Sequence, residues 1–551
     1  MTPGRTAPQL AKAVVQQLYA AGVRDVVLAP GSRSAPLALT LHAADRAGDL
    51  RLHVRVDERS AAYLALGLTT GSRRPVAVVT TSGTAVGNLL PAVMEAFHTG
   101  RRLVVVSADR PERLRGTGAN QTTYQAGLFG TFAPCHDLAP GATDAEVAAA
   151  AVAACTAIGP TQVNVQLDGD LLPADPDSTT WWSPPEDVDP VAGPVDSAPP
   201  ERGGETLSPG PRTVVVAGDD AGPAARLLAE AGNWPLLAEP TSGARVGRHA
   251  IRTYRPLLAT ALRTEVERVV VVGRPTLSRP VTALISDPRL EVLAVRGRDG
   301  VATDPGRVAR HLDGVPVAEA PGDPEWVQRW RWADAALARL VDRGLSDRGR
   351  VPLAVAAVVA DAVIAGTTLV VGSSNPVRDL DVMATPWPAH EHRFVVGNRG
   401  LAGIDGLVST AVGVALGRPR ATRSIAYLGD LTFLHDSNGL LLGPVERRPD
   451  LTLVVLNDDG GAIFATLEQG NQRYAEAFER VFGTPHGTDL EALCRAHSAA
   501  YERVTELDRL AAALTEQPDG VRVLEVPVSR ADRRAEAAWL RQLARDVDAS
   551  S

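Results

Sequence analysis

The sequence predicts an α/β protein built as three domains of parallel β-sheet covered by helices, and three observations carry that prediction. Short apolar runs alternate with helical stretches along most of the 551 residues, the pattern of parallel strands joined by crossover helices. The chain is too long for a single hydrophobic core, which stops growing at roughly 250–300 residues. A stretch rich in Pro, Ser, Gly and Asp, including SAPPERGGETLSPGP, follows the first α/β region; such a composition builds no core and reads as a linker. The expected division is a first α/β domain over 1–185, a linker over 186–211, a central α/β domain over 212–345 and a third α/β domain over 346–551.

In the first domain, residues 23–30 (VRDVVLAP) read as a strand ending in a Pro-Gly turn. Residues 52–68 alternate through Leu52, Val54 and Val56, then run through Asp57-Glu58-Arg59 into a helix with an apolar face. A strand, a small-residue loop and a helix start fill 74–88, and strands ending in polar loops occupy 101–111 and 161–172. The central domain repeats strand, Gly turn and helix at 212–232 and 266–281, with a further strand at 291–297. A Trp- and Arg-rich helix over 324–344 precedes the third domain, which contains TTLVVGSSNPVRD, HRFVVGNRGLAGIDG, RSIAYLGDLTFLHDSNGL and LTLVVLNDDGGAIF. Loop motifs follow strands in the first and third domains, where open parallel sheets bind ligands. The middle domain has few polar residues in equivalent places.

Composition excludes several classes. No run approaches the roughly 20 apolar residues of a membrane helix, and MTPGRTAPQL has no apolar core of a secretory signal. Cys135, Cys155 and Cys494 are far apart and form no CxxC pair, which argues against a disulfide framework or cysteine-rich zinc site and fits a cytoplasmic location. A formal charge of −8 opposes general nucleic-acid binding. Lys12 is the sole lysine, so arginine carries almost all positive charge, and only an arginine inside a motif has diagnostic weight.

The sharpest chemical feature lies in the third domain. The strand SIAYL ends in Gly429-Asp430-Leu431, and after one intervening helical segment the strand LTLVVL ends in Asn457-Asp458-Asp459-Gly460-Gly461. A right-handed crossover puts both strand ends on one sheet edge. Oxygen ligands there can hold one hard cation, while the glycines let backbone approach a diphosphate. This pair resembles the signature of thiamine diphosphate-dependent enzymes. The resemblance implies metal ligation by Asp430, by Asn457 or Asp458, and by the carbonyl of Gly460, with Mg²⁺ as the cation and Mn²⁺ an open alternative. It also implies the three-domain fold of that superfamily, with the pyrimidine-binding domain first, a central domain second and the diphosphate-binding domain third. Glu58 would be the glutamate that hydrogen-bonds the cofactor's aminopyrimidine and drives its activation, with Thr81, Ser82 and Gly83 in the small-residue loop beside it.

Further motifs select within the superfamily: Pro30-Gly31-Ser32-Arg33-Ser34, Ala108-Asp109-Arg110-Pro111, Gly118-Ala119-Asn120-Gln121, Ser373-Ser374-Asn375-Pro376-Val377-Arg378 and the segment from Asn398 through Arg399 to Gly406. In this order they resemble the 2-succinyl-5-enolpyruvyl-6-hydroxy-3-cyclohexene-1-carboxylate synthase family of menaquinone biosynthesis. That family is a transferase class that decarboxylates 2-oxoglutarate and adds the succinyl-carbanion equivalent to isochorismate. The resemblance implies substrate contacts from Ser32, Arg33, Arg110, Asn120, Gln121, Ser374, Arg378 and Arg399. It implies cofactor contacts from Ile404, Gly429, Asp430, Leu431, Gly460, Gly461, Ile463 and Phe464, and a homodimer or homotetramer with active sites between subunits. The chemistry agrees, because two dicarboxylate substrates call for guanidinium groups that bind carboxylates bidentately. An acetolactate synthase-like enzyme would not need four motif arginines, and a non-catalytic relative would not need Glu58, Asp430 and NDDGG together. A nicotinamide dehydrogenase built on the middle domain lacks GxGxxG spacing. Arg101, Arg102, Arg113 and Arg115 read as solvated surface residues, and His98 and His435 as packing or surface residues.

Overall fold

A computed structural model of the chain describes residues 5–173, 180–186, 202–531 and 533–549. Its strands form three main sheets, all parallel. The first sheet contains β1 (Asp25–Leu28), β2 (Arg51–Val54), β3 (Val76–Thr80), β4 (Leu103–Asp109), β5 (Cys135–Leu138) and β6 (Thr161–Gln166), in the order β2-β1-β3-β4-β6-β5. β7 (Arg202–Leu207) pairs with β13 (Val315–Ala318) as a separate two-stranded ribbon. The second sheet joins β8 (Thr213–Ala217), β9 (Leu236–Ala238), β10 (Arg268–Val272), β11 (Glu291–Val295) and β12 (Arg310–Leu312) in the order β12-β11-β10-β8-β9. The third contains β14 (Thr367–Val371), β15 (Phe394–Val396), β16 (Arg423–Gly429), β17 (Leu451–Asn457), β18 (Ala500–Arg503) and β19 (Val521–Pro527), in the order β15-β14-β16-β17-β19-β18.

The α/β class with three helix-covered parallel sheets is therefore as expected. Inner strands such as β3, β8, β10 and β14 are buried along their whole length, which accounts for their unbroken valine-rich sequences. Of the expected linker 186–211, residues 187–201 lie outside those described, while Arg202–Leu207 is a strand whose Leu207 is buried. The strand expected through Val56 stops at Val54, and Val56 is 72% exposed.

The chain folds as two compact units. The first joins residues 1–196 with 405–420 and 435–449; the second holds 197–404, 421–434 and 450–551. Two segments from the expected third domain thus pack with the first sheet. The helix Glu58–Ser72 lies against the helix Leu407–Gly417 so closely that a Cβ on Gly67 would meet the Thr410 carbonyl oxygen at 2.2 Å, and one on Gly413 the Leu64 carbonyl oxygen at 2.2 Å. Tyr63 hydroxyl donates to Asp405, Ser60 to Asp436 at 3.1 Å, and the Val54 amide to Glu446 at 2.9 Å. Among the described residues no helix is long and apolar enough to cross a membrane.

Candidate active site

In a doubly wound sheet, ligands bind at the carboxyl ends of the strands where the strand order reverses. In the third sheet that point lies between β14 and β16. The loops beyond these two strands and beyond β17 line a cavity of about 280 Å³, furnished by Ser374, Arg378, Ile404, Gly429, Asp430, Leu431, Asp458, Gly460, Gly461, Ile463 and Phe464. Eleven residues singled out in the sequence therefore meet at one place.

The electrostatics of this cavity fit a cation held with an anionic ligand. Asp430 and Asp458 are both buried, 3% and 8% exposed. Burial first, and then the neighbouring charge of Asp430, push the Asp458 carboxyl up to about 7; burial also raises Asp430. Two carboxylates kept close together in a poorly solvated site are what a divalent ion relieves. Asp430 is oriented by the amides of Leu431 at 2.6 Å and Gly460 at 2.9 Å. Gly460 has φ 139°, and a Cβ there would meet the Gly483 carbonyl oxygen at 1.9 Å; one on Gly461 would meet the Phe482 carbonyl oxygen at 2.3 Å. Only glycine fits this cradle. No group of three or more His, Cys, Asp or Glu able to hold a metal exists among the described residues. A cation here would draw on two carboxylates, a carbonyl and oxygens of its ligand, the donor set of Mg²⁺.

Asn457 and Arg399 are not brought to the cavity. Asn457 Nδ2 donates to Glu525 at 2.8 Å while its Oδ1 accepts the Asp459 amide at 3.0 Å, so of the adjacent pair Asp458 alone lines the cavity. Arg399 is 2% exposed and donates to Thr276 Oγ1 at 3.0 Å and more weakly to Ser373 Oγ at 3.4 Å. Arg378, which does line the cavity, donates to the Ser374 carbonyl at 2.6 Å. Burial, then the positive charges of Arg399 and Arg255, lower Arg378 to about 10. Sequence reasoning missed His486. Its Nδ1 accepts the Thr488 amide at 3.0 Å, which leaves Nε2 protonated and facing Asp430 Oδ2 at 3.3 Å. The nearest sequence signal was the turn Pro485-His486-Gly487, which has no fixed spacing to Asp430.

The first sheet reverses between β1 and β3, and the motif loops of the first domain gather there. A Cβ on Gly31 would lie 2.3 Å from Thr81 Cβ, so the PGSRS and TTSGT loops touch. Ser82 Oγ donates to the Gln121 carbonyl at 3.0 Å and accepts Arg110 Nη1 at 2.6 Å, while Gln121 Nε2 donates to the Ser82 carbonyl at 2.8 Å. Arg33 donates to the Leu167 carbonyl at 3.0 Å, and burial, then the Arg110 charge, lower it from its ordinary value. Its Nε is buried without a hydrogen-bond partner among the described residues, an opening for an anionic ligand. Glu58 starts its helix behind the cap Asp57 and takes a long 3.5 Å contact from Asn88 Nδ2. Ser32 and Asn120 are exposed at their loop tips, and Gly83 opens the next short helix at φ 83°. Arg115 departs from its surface reading: it is 13% exposed and bridges Asp109 at 2.7 Å and Asp137 at 2.8 Å. Arg113 pairs with Asp168 at 63% exposure. His98 packs edge-on to Phe97, and His435 takes a bond from Arg59 through its carbonyl.

Comparison with known proteins agrees with this geometry. Residues 8–128 match the family described as thiamine pyrophosphate enzyme, N-terminal TPP binding domain, and residues 382–526 match its C-terminal TPP binding domain. The solved structure of benzoylformate decarboxylase from Polynucleobacter necessarius superposes with a TM-score of 0.61 at 18% identity, covering 96% of this chain and 99% of that one, a likeness of fold. The 2-succinyl-5-enolpyruvyl-6-hydroxy-3-cyclohexene-1-carboxylate synthase of a Nocardioides species is 51% identical, with 97% of this chain and 98% of that protein covered. The enzyme of the same name from Paenarthrobacter aurescens is 45% identical over 97% and 96%. With two strand-edge sites of this chemistry and relatives this similar along nearly their whole length, the chain belongs to the 2-succinyl-5-enolpyruvyl-6-hydroxy-3-cyclohexene-1-carboxylate synthase family of thiamine diphosphate-dependent enzymes.

Proposed function

We propose that the protein decarboxylates 2-oxoglutarate and adds the resulting succinyl-carbanion equivalent to isochorismate, giving 2-succinyl-5-enolpyruvyl-6-hydroxy-3-cyclohexene-1-carboxylate and CO₂. The observation that carries this reading is the cavity lined by Asp430, Asp458, Gly460 and Gly461 together with Ser374 and Arg378, backed by the identity of the relatives. Thiamine diphosphate, when bound, supplies the carbanion chemistry. Asp430, Asp458 and the Gly460 carbonyl would hold Mg²⁺ against the diphosphate, and Ile404, Ile463 and Phe464 would give the cofactor an apolar wall. Glu58 would accept a hydrogen bond from the aminopyrimidine and favour the tautomer that removes a proton. Arg33, Arg110 and Arg378 would bind substrate carboxylates; Arg399, buried against Thr276, adds a second positive charge near Arg378. A homo-oligomer in which subunits share active sites, as the family resemblance implies, belongs to the same reading, as does activity in the cytoplasm.

The test incubates purified protein with thiamine diphosphate, Mg²⁺ and 2-oxoglutarate, then adds isochorismate and follows its ultraviolet absorbance together with CO₂. One CO₂ released per isochorismate consumed, dependent on every component, is the expected result. CO₂ without isochorismate loss would replace the acceptor, and neither change with cofactor bound would remove the catalytic reading.

A further inference from the structure

Behind the first of these sites, β4, β6 and the loop leading to Gly127 enclose a chain of polar side chains inside an otherwise valine-lined sheet. Ser107, Asp109, Gln125, Gln162 and Asn164 are all fully buried. Gln162 Nε2 donates to Ser107 Oγ at 3.0 Å and to the Gln125 carbonyl at 2.8 Å. Ser107 Oγ donates to Asn164 Oδ1 at 2.8 Å, and Gln125 Nε2 donates to the same oxygen at 3.0 Å and to the Ala108 carbonyl at 3.1 Å. Asn164 Nδ2 in turn donates to Asp109 at 2.9 Å and Asp137 at 2.7 Å. Gln125 Oε1 accepts the Gly83 amide at 3.1 Å. Both hydrogens of the Gln125 amide and its oxygen are thereby engaged, which fixes the orientation of the group. Apolar side chains of similar volume would stabilise a sheet interior at least as well. What a saturated network adds is one geometry in place of several.

Gln125 bonds two motif segments and follows a third in the chain. It directly touches Gly83 of the small-residue loop and Ala108 at the end of β4, where the ADRP motif begins, and it lies four residues beyond Gln121 in the segment that carries Asn120 and Gln121. Gln121 in turn holds Ser82 and Arg110 through its carbonyl. We propose that Gln125 is a positioning residue that locks the cofactor-side loop at 81–84 and the substrate-side loops at 108–111 and 118–121 into one arrangement. It touches neither ligand; it acts through Gly83, Arg110 and Gln121. The proposal rests on the function proposed above and predicts that affinity for cofactor and for acceptor fall together when this one amide is lost.

The experiment uses the full chain with Mg²⁺. Thiamine diphosphate half-saturation is measured by calorimetry without substrate, and KM and kcat for isochorismate are measured separately. The variants are Gln125→Met, Ser107→Ala and the double variant Ser107→Ala/Gln125→Met. Gln125→Met should raise both half-saturation and KM by about tenfold, since small misplacements of a binding loop carry costs of that order. Ser107→Ala should move both in the same direction by about threefold, one link of the same network being lost. In the Ser107→Ala background, where the shared Asn164 oxygen has already lost one donor, Gln125→Met should raise KM by clearly less than in the unaltered protein, the non-additivity of residues that act as a unit. Unchanged cofactor half-saturation, or a KM effect that adds in the double variant, would overturn the proposal and leave Gln125 a brace of the sheet. If Gln125→Met does not fold, Ser107→Ala decides by the same cofactor reading. Absence of isochorismate turnover in the unaltered protein would remove the proposed function, while the cofactor measurement would still judge Gln125.

Discussion

The first and third sheets have the same strand order, 2-1-3-4-6-5 counted within each, and both gather their motif loops between their first and third strands. They furnish it in opposite ways. In the first, the polar groups behind the site are mostly neutral and bonded to one another: Ser107, Gln125, Gln162 and Asn164 leave little room for a second arrangement. In the third, formal charges are kept partly uncompensated: Asp458 beside Asp430, and Arg378 beside Arg399. Topology decides where a ligand sits, and side chains decide which half of it is recognised. On the function proposed above, a flat heteroaromatic ring would be read by directional hydrogen bonds to a rigid frame, and a diphosphate with its cation by charge.

That comparison can be broken most forcefully at Glu58. Glu58→Gln should lower kcat by about 10²–10⁴, the range for losing a positioned proton-transfer group, while calorimetric binding of thiamine diphosphate changes little. An equally large loss of binding would mean the first site recognises by charge after all. Next in size, Asp430→Asn should weaken Mg²⁺-dependent cofactor binding by about 100-fold, on the scale of disrupted metal sites, and added Mg²⁺ should restore part of it. Unaltered Mg²⁺ dependence would take the cation away from this cavity. Smaller again, Arg378→Ala should raise KM for 2-oxoglutarate by about 10- to 100-fold, since one charge-assisted bond contributes about 1.5–3 kcal/mol; a change in kcat with KM constant would move Arg378 from binding to orientation.

Much of this was legible in the sequence because strand-end glycines and acids are local signals. Gly429-Asp430 and Gly460-Gly461 sit at the cavity since a Cβ at 460 or 461 strikes backbone, a demand that any sequence forming this turn must meet. The choice between Asn457 and Asp458 was not legible. Successive side chains at a strand end point to opposite faces, and which face holds the cavity depends on Glu525 in β19, to which Asn457 turns. Arg399 carried a motif signal yet lies buried against Thr276, a partner 123 residues away. Gln125 and His486 were missed for the same reason: their partners Gly83 and Asp430 are 42 and 56 residues distant, and no short spacing records such a pairing. The contacts that group 405–420 and 435–449 with the first unit were not legible either, because they are made by helix faces far apart in sequence.

The middle sheet supplies the smallest and subtlest term. Glu239 follows β9, is 2% exposed and accepts the Leu277 amide at 2.9 Å. Burial raises its carboxyl to about 8, against the attraction of Arg399 and with repulsion from Asp381 and Asp219 added. A carboxyl raised on folding contributes stability that is fully present below its ordinary range, near 4.5, and is lost as pH climbs through about 8. The unaltered protein should therefore melt at falling temperatures between pH 5 and pH 8 partly on account of this group. Glu239→Gln keeps an oxygen for the Leu277 amide but cannot ionise, so scanning calorimetry should find the variant's disadvantage at pH 5 shrinking or reversing by pH 8. Parallel curves would mean that Glu239 stays ionised throughout as the counter-charge of Arg399. The middle sheet would then join the third in recognising by charge, and the contrast between neutral frame and charged cavity would end at the first sheet alone.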